Sequence, residues 1–437
     1  MAQSRWHPAQ RIAVGYLAVG ALGSLLLLLP VAHRTSVGFT DAAFTSASAT
    51  FVTGLSTVNT AQTWTPVGAA LIALLIQIGG AGITLATTLV YLILGRKITI
   101  GERKFIAEER NFSTRGIVRL VKSILYFSLT MEGVSSLLFM LYFHFRYSYP
   151  WPRAIGISVF HSVSAFNNAG FDLWGNSLEG FQTDPFVLLL TSLLIILGGL
   201  GFVVITELYS FPRQRSISLH TRIVLSMTGV LLLSGTFLTL LFEAGASMAN
   251  LSWPAKLLNA WFTSVTLRTA GFDSIPIGSM RDVTWFIFMI YMFIGASPGS
   301  TGGGIKTTTF YMMIKAATAT IRSRSEIVSR ERTIPWDIAL KSLVIFMLAS
   351  GLVFTGTLLN SLLEPKIPFL NLAFEEVSAF GTVGLTTGIT SIIGTPMKWV
   401  LIFTMYVGRI GILTFLVSLA QRKRTTVSHV QERILIG

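Results

Sequence analysis

The stretch Phe374–Leu385, FEEVSAFGTVGL, decides the fold, because versions of it occur three more times in the chain. Phe44–Leu55 reads FTSASATFVTGL, Phe160–Phe171 reads FHSVSAFNNAGF and Trp261–Phe272 reads WFTSVTLRTAGF. Each copy has an aromatic residue ten positions before a glycine and a large apolar residue directly after it. The glycines, Gly54, Gly170, Gly271 and Gly384, stand 116, 101 and 113 residues apart. The chain therefore reads as four units of similar length, 1–95, 96–212, 213–320 and 321–437.

Hydropathy says where those units sit. With 52% apolar residues, 12% charged residues and a mean hydropathy of +0.67, the 437 residues cannot hide their apolar surface in water-soluble cores. The expectation is an all-α polytopic membrane protein in a lipid bilayer. There is no cysteine, and the six histidines lack the spacing of metal ligands, so no transition-metal site is expected.

A net charge of +14 would suit a nucleic-acid binder, but its distribution argues against one. Of 33 Lys and Arg, 23 fall in five segments: the N-terminus to Arg11, Arg96–Lys122, Arg213–Arg222, Lys315–Lys341 and Arg422–Arg433. These alternate with apolar spans, the positive-inside pattern, which predicts both termini on the cytoplasmic side of the cell membrane. Arg5 and Arg11 precede the run 12–31 as they would a signal peptide. The run is long enough to span and no cleavage site follows, so it reads as a first crossing.

In each unit a span leads outward, a short segment dips back, and a second span returns. The expected spans are Ile12–Pro30 and Pro66–Leu94, Ile117–Phe145 and Pro185–Tyr209, Ile223–Glu243 and Val283–Ile314, and Ile338–Leu363 and Trp399–Leu419. A dip of about ten residues, at roughly 1.5 Å each, reaches only halfway across the hydrocarbon and must turn back. Two full crossings per unit make the repeats parallel, which places four helix–pore-loop–helix repeats around one central pore.

A cation entering a membrane must exchange its water shell for other oxygens, and backbone carbonyls supply them without binding too tightly. Glycine lets the chain leave helical geometry to aim those carbonyls, and a watery pore is where irregular backbone is tolerated. The expected filter is Val52, Thr53 and Gly54; Asn168, Ala169 and Gly170; Thr269, Ala270 and Gly271; and Thr382, Val383 and Gly384. Asp41, Asp172, Asp273, Glu375 and Glu376 would draw cations to the mouth. Arg268, three residues before Gly271, would need neutralising, and an ion pair with Glu375 or Glu376 is expected to support the filter.

The returning spans carry further glycines, Gly79, Gly80 and Gly82, then Gly198, Gly199 and Gly201, then Gly295 and Gly299, then Gly408 and Gly411. In three copies these are expected to serve close helix packing. The third continues as GASPGSTGGGIK, residues 295–306, where ten of twelve residues are Gly, Ala, Ser, Thr or Pro. Pro298 removes a backbone donor, and Gly302, Gly303 and Gly304 cannot propagate a helix. A nucleotide P-loop is excluded because Ile305 separates the lysine from the last glycine. The break, with Gly295, Pro298, Gly299, Gly302–Gly304, Lys306 and Arg409, is expected to form a flexible gate held by few packed contacts. Lys306 and Arg409 are intramembrane cations that could hold its carbonyls or side chains.

At these residues the chain resembles the superfamily of Trk, Ktr and HKT potassium transporters, most closely the Ktr branch. The motifs are TGL, NNAGF, RTAGF and GTVGL, then GASPGSTGGGIKTTTF and VGRIG around Arg409. The resemblance implies potassium transport, glycine at all four filter positions as in potassium-selective members, and a homodimer with one pore per subunit. It also implies a separate cytoplasmic ring of nucleotide-binding regulatory subunits and sodium as an activator, with no cofactor in this chain. Two positions depart from the family pattern: Asn59, where an aspartate is usual, and Leu267, where proline or alanine is frequent. Two other readings compete. An alternating-access cation symporter would need inverted repeats. A membrane enzyme using His161 with Ser162 or Ser164 lacks an orienting acid.

Overall fold

The structure, a computed structural model, describes residues 8–82 and 117–419. The inner part of the span expected over 66–94, the basic segment from 96 to 116 and the basic stretch 422–433 lie outside the described residues. The remainder is almost entirely helical, and one short hairpin, β1 (Ile327–Ser329) and β2 (Arg332–Ile334), is the only sheet among the described residues.

Four long helices lead the repeats: α1 (Pro8–Leu27), then, after the intervening elements, α5 (Ile117–Tyr147), α9 (Leu219–Glu243) and α13 (Trp336–Leu363). All four are long and apolar enough to cross a membrane. They turn large apolar side chains outward, among them Leu25, Tyr126, Leu233, Phe237, Met347 and Phe354. That is what a helix does when lipid is its solvent.

Behind each comes a shorter helix directed at the centre: α2 (Phe39–Phe51), α6 (Trp151–Phe166), α10 (Trp253–Thr266) and α14 (Phe369–Gly381). These run 13–16 residues, longer than the ten-residue dips expected. Pro152 and Pro254 in the first turn, and Pro368 at the N-cap, mark starts that lie ahead of the repeated motif. Small residues face inward, so the chains approach closely; Ala42 to Phe51 of α2 are all buried.

The returning helices are α4 (Pro66–Ala81), preceded by the single-turn α3 (Thr60–Thr63), then α7 (Pro185–Leu200), α11 (Asp282–Phe293) and α15 (Thr395–Ile410). Two of these crossings, expected to be continuous, are sharply bent. The axis turns by 101° between α7 and α8 (Phe202–Gln214), and by 97° between α15 and α16 (Ile412–Leu419). The bends occur at Gly201 and Gly411, with φ of 88° and 89°, and α4 likewise ends at Gly82, φ 83°. Only glycine adopts those angles readily. In the third repeat α11 stops at Phe293, and an irregular loop leads into α12 (Thr307–Ile321).

Polar bonds near the starts of the returning helices link the first repeat to the second, the second to the third, and the fourth to the first. Asn59 Nδ2 donates to Gly175 O at 3.0 Å, and Leu178 N donates to Asp273 O at 2.9 Å. The fourth repeat returns to the first through Lys398 Nζ and Asp41 Oδ1, 2.7 Å apart, with Thr57 Oγ1 on the same oxygen. Nearer the other end of α15, Tyr406 Oη donates to Ala13 O at 2.9 Å.

Candidate functional site: a ring of carbonyls above a polar loop

Each central helix ends in the same way. The residue two positions before the repeated glycine is left-handed: Val52 at φ 58°, Asn168 at 59°, Thr269 at 71° and Thr382 at 48°. The glycines follow with φ of 100°, 69°, 75° and 96°. Left-handed backbone is ordinary for glycine but costs about 1–3 kcal/mol at a β-branched residue, and such strain persists where a site requires it.

The amide hydrogens of this turn point back at the helix. Thr53 N donates to Ser48 O at 2.8 Å, Ala169 N to Ser164 O at 2.8 Å, Ala270 N to Thr266 O at 3.0 Å and Val383 N to Ser378 O at 2.9 Å. Ser48 Oγ and Ser378 Oγ additionally accept from Gly54 N and Gly384 N, at 3.0 and 3.1 Å. With the donors turned outward, the carbonyls of 52–54, 168–170, 269–271 and 382–384 remain; no donor among the described residues reaches them. Eleven of these twelve residues are buried and Gly54 is partly so. Unpaired carbonyls at such depth are uncommon in a folded protein.

The four turns face one another. A methyl group built on Gly54 would lie 2.6 Å from Ala169 O, one on Gly170 2.9 Å from Ala270 O, one on Gly271 2.3 Å from Val383 O, and one on Gly384 2.2 Å from Thr53 O. The sequence of neighbours runs first, second, third, fourth and back to first, so the repeats encircle one axis and glycine is required at each position.

The loop 294–306 is seated against this ring. Gly303 N donates to Thr382 Oγ1 at 3.0 Å, and a methyl on Gly302 would lie 2.0 Å from Thr269 Oγ1. Contrary to the expectation of few contacts, the loop is tied on several sides. Ser297 N and Thr301 N donate to Gly199 O and Gly198 O at 3.1 and 3.2 Å, and Phe202 N to Gly299 O at 3.4 Å. The carbonyls released where α7 breaks supply these acceptors, so the loop replaces the next turn of helix as their partner. Lys306 Nζ folds back onto Gly302 O at 2.6 Å. Arg409 Nη1 donates to Thr301 O and its Nη2 to Gly79 O, so one guanidinium joins the loop to the end of α4. A cavity of about 430 Å³, lined by Pro298, Gly299, Lys306 and Arg409 among others, adjoins the loop.

The ion pair expected of Arg268 does not form. Arg268 is buried, and among the described residues its Nε has no hydrogen-bond partner and no carboxylate lies within ion-pairing distance of it. Glu375 is taken by Thr386 Oγ1, by Thr387 N at 3.1 Å and by Thr390 Oγ1 at 2.8 Å. Glu376 is taken by Asn360 Nδ2 at 2.8 Å and Thr404 Oγ1 at 2.6 Å, over a notch at Gly356. Both carboxylates are satisfied within the fourth repeat, by hydroxyl, amide and backbone donors that the linear sequence does not bring together.

In the loop that follows Gly170, Asp172 accepts from Trp174 N and Gly175 N at 2.7 and 2.6 Å. Burial, together with the nearby Glu179 and Asp172, pushes the Asp273 carboxyl up to about 7 against a hydrogen bond from Ser177. Asn59 caps α3 through its oxygen while its amide reaches Gly175 O, a donation that an aspartate could not make. His161 Nε2 pairs with Thr191 Oγ1 at 2.9 Å, and Ser162 and Ser164 have no partner for their hydroxyls, so the histidine activates neither serine.

Residues 7–425 match the family model described as TrkH, cation transport protein. The chain belongs to the TrkH family of cation transport proteins. It is 38% identical over 438 residues to the Ktr system potassium uptake protein B of Bacillus subtilis, covering 99% of this chain and 97% of that protein. To the potassium/sodium uptake protein NtpJ of Enterococcus hirae it is 37% identical, covering 100% and 98%. The crystal structure of the potassium transporter TrkH from Vibrio parahaemolyticus superposes with a TM-score of 0.74 at 20% identity, over 94% of this chain and 84% of that one. The fold is thus the family's parallel pore-loop repeat, and the relatives are transport proteins, not enzymes.

Proposed function

We propose that this chain is the ion-translocating subunit of a potassium-uptake system in the cell membrane. One observation carries the reading: twelve carbonyls without donors among the described residues, in four equivalent turns that close around one axis. Such a ring suits a weakly hydrated monovalent cation, for which peptide oxygens can stand in for water. Relatives named for potassium uptake favour that ion, and NtpJ, named for potassium and sodium, favours a sodium effect on transport.

In this reading the units 1–95, 96–212, 213–320 and 321–437 each supply one filter stretch. The loop from Gly295 to Lys306 is the gate, and Arg409 is its latch against the first repeat. Opening requires the loop's bonds to α7 and Arg409 to exchange, so the gate is switched between two bonded arrangements and is not a slack strip. The resemblance to the Ktr branch supports a homodimer and a cytoplasmic nucleotide-binding ring acting on the gate, and the charge pattern supports cytoplasmic termini.

The test is rescue of a potassium-uptake-deficient cell at low external potassium, with and without sodium. Growth and rubidium uptake should be restored, and Gly54→Ser or Gly384→Ser should admit sodium, since both sites have φ near +100° and a neighbouring carbonyl in the way. Failure of the membrane-embedded wild type to restore uptake would refute the reading.

A further inference from the structure

The four filter turns are not held alike, and the second lacks a fastening that two others have. In the first and fourth, a serine hydroxyl of the central helix catches the filter glycine's N–H. The third has Val265 at that position, and in the second the equivalent Ser164 hydroxyl has no partner. What the second turn has instead is an amide knot around Asn167, the residue just before the left-handed Asn168.

Asn167 is 2% exposed. Its Nδ2, with two hydrogens to give, has three acceptors within reach: Glu132 Oε1 of α5 at 3.0 Å, Gln77 Oε1 of α4 at 2.9 Å and Val163 O at 2.9 Å. Its Oδ1 occupies a notch on α4, where a methyl on Gly80 would lie 2.0 Å away. Three helices thus converge on one side chain. The other copies have nothing comparable at this position: Phe51 packs between Tyr16 and Tyr406, Arg268 makes no ion pair, and Gly381 has no side chain.

Glu132 is the costly member. It is 6% exposed, on a helix that crosses the membrane, and has no ion-pair partner among the described residues. A carboxyl in such a place destabilises the protein unless it does something an apolar side chain could not. Its Oε1 accepts from the Asn167 amide, so this oxygen is already engaged within the protein. The geometry points to Glu132 as a positioning residue: as an acceptor for Asn167 it holds the second filter stretch in place. The proposal rests on the potassium-uptake reading. The knot also fixes the turn at Gly79 and Gly80, whose carbonyls face Arg409, so filter and latch share one anchor.

The test compares wild type, Glu132→Gln and Glu132→Leu in the full-length protein, measuring potassium and sodium uptake per membrane-embedded molecule. Gln retains an acceptor and should keep the potassium-to-sodium preference within about twofold. Leu removes the carboxylate acceptor and with it the tie from α5, leaving the two amide hydrogens to Gln77 and Val163, and should lower the preference about tenfold, the effect expected of losing one hydrogen bond to a charged group. If Glu132→Leu does not reach the membrane, Gln77→Leu probes the same knot and should lower the preference about threefold. Three results would overturn the proposal: Leu discriminating as well as wild type, Gln losing as much preference as Leu, or both fluxes falling in proportion. A wild type without potassium preference would instead overturn the functional reading beneath it.

Discussion

The third repeat and its three counterparts begin from the same sequence signal and use it differently. In the first, second and fourth repeats a glycine of the returning helix fits directly under the end of the central helix. Methyl groups on Gly79, Gly198 and Gly408 would each lie 2.0 Å from a carbonyl, that of Thr50, Phe166 and Phe380 respectively. Those carbonyls lie four residues before the filter glycine in every case. In the third repeat Gly295 instead meets its own loop, 2.1 Å from Gly303 O by the same measure. Three copies form a frame, and the third repeat has given up the frame contact to put a polar loop beneath the ring. Near-symmetry supplies the carbonyl ring, and its local loss supplies the loop proposed as the gate.

The contrast can be broken most severely by substituting the frame. Gly198→Ala or Gly408→Ala forces a methyl into a backbone oxygen that cannot retreat, a misfit well beyond the roughly 1–3 kcal/mol of ordinary overpacking. Detergent-solubilised protein should lose its monodisperse peak, and uptake should vanish with it. A monodisperse, active variant would show that these contacts do not hold the frame.

Changes to the loop should do the opposite. Deleting Gly302–Gly304, or replacing Arg409 by alanine, removes bonds from the proposed gate and leaves the frame contacts intact. Rubidium uptake per molecule should rise several-fold at unchanged protein yield. Unchanged or lower flux in well-folded protein would remove the loop and Arg409 from the gate.

The smallest effect lies at the outer mouth. Asp273 loses its proton as pH rises through about 7, adding a negative charge beside Asp172 and Glu179. Uptake at limiting potassium should therefore increase about two- to threefold from pH 6 to pH 8 through local cation enrichment. Asp273→Asn should flatten that profile without changing the maximal rate, and an unaltered profile would assign the pH response elsewhere.

Why some of this could be read from the chain and some could not follows from residue chemistry. Four glycines with aromatic and apolar flanks at fixed offsets are visible because positive φ and a neighbouring carbonyl there favour glycine over any other residue. The left-handed turns at Val52, Thr269 and Thr382 are invisible, since β-branched side chains normally argue against that conformation. Glycines for packing and glycines for breaking look identical in sequence. Gly79 and Gly82 differ only in what surrounds them, which is why the bends at Gly201 and Gly411 went unpredicted. Arg268 misled because a buried charge suggests an ion pair, whereas threonines and an asparagine had already satisfied both glutamates. The knot of Gln77, Glu132 and Asn167 joins residues on three helices and leaves no linear trace.

Where a permeant ion rests tests the carbonyl ring most directly. Crystals grown with thallium in place of potassium should show anomalous density on the axis enclosed by Gly54, Gly170, Gly271 and Gly384, against the carbonyls of the residues just before them. Thallium bound only elsewhere, or a ring that stays empty while the ion occupies the cavity by Arg409, would contradict it.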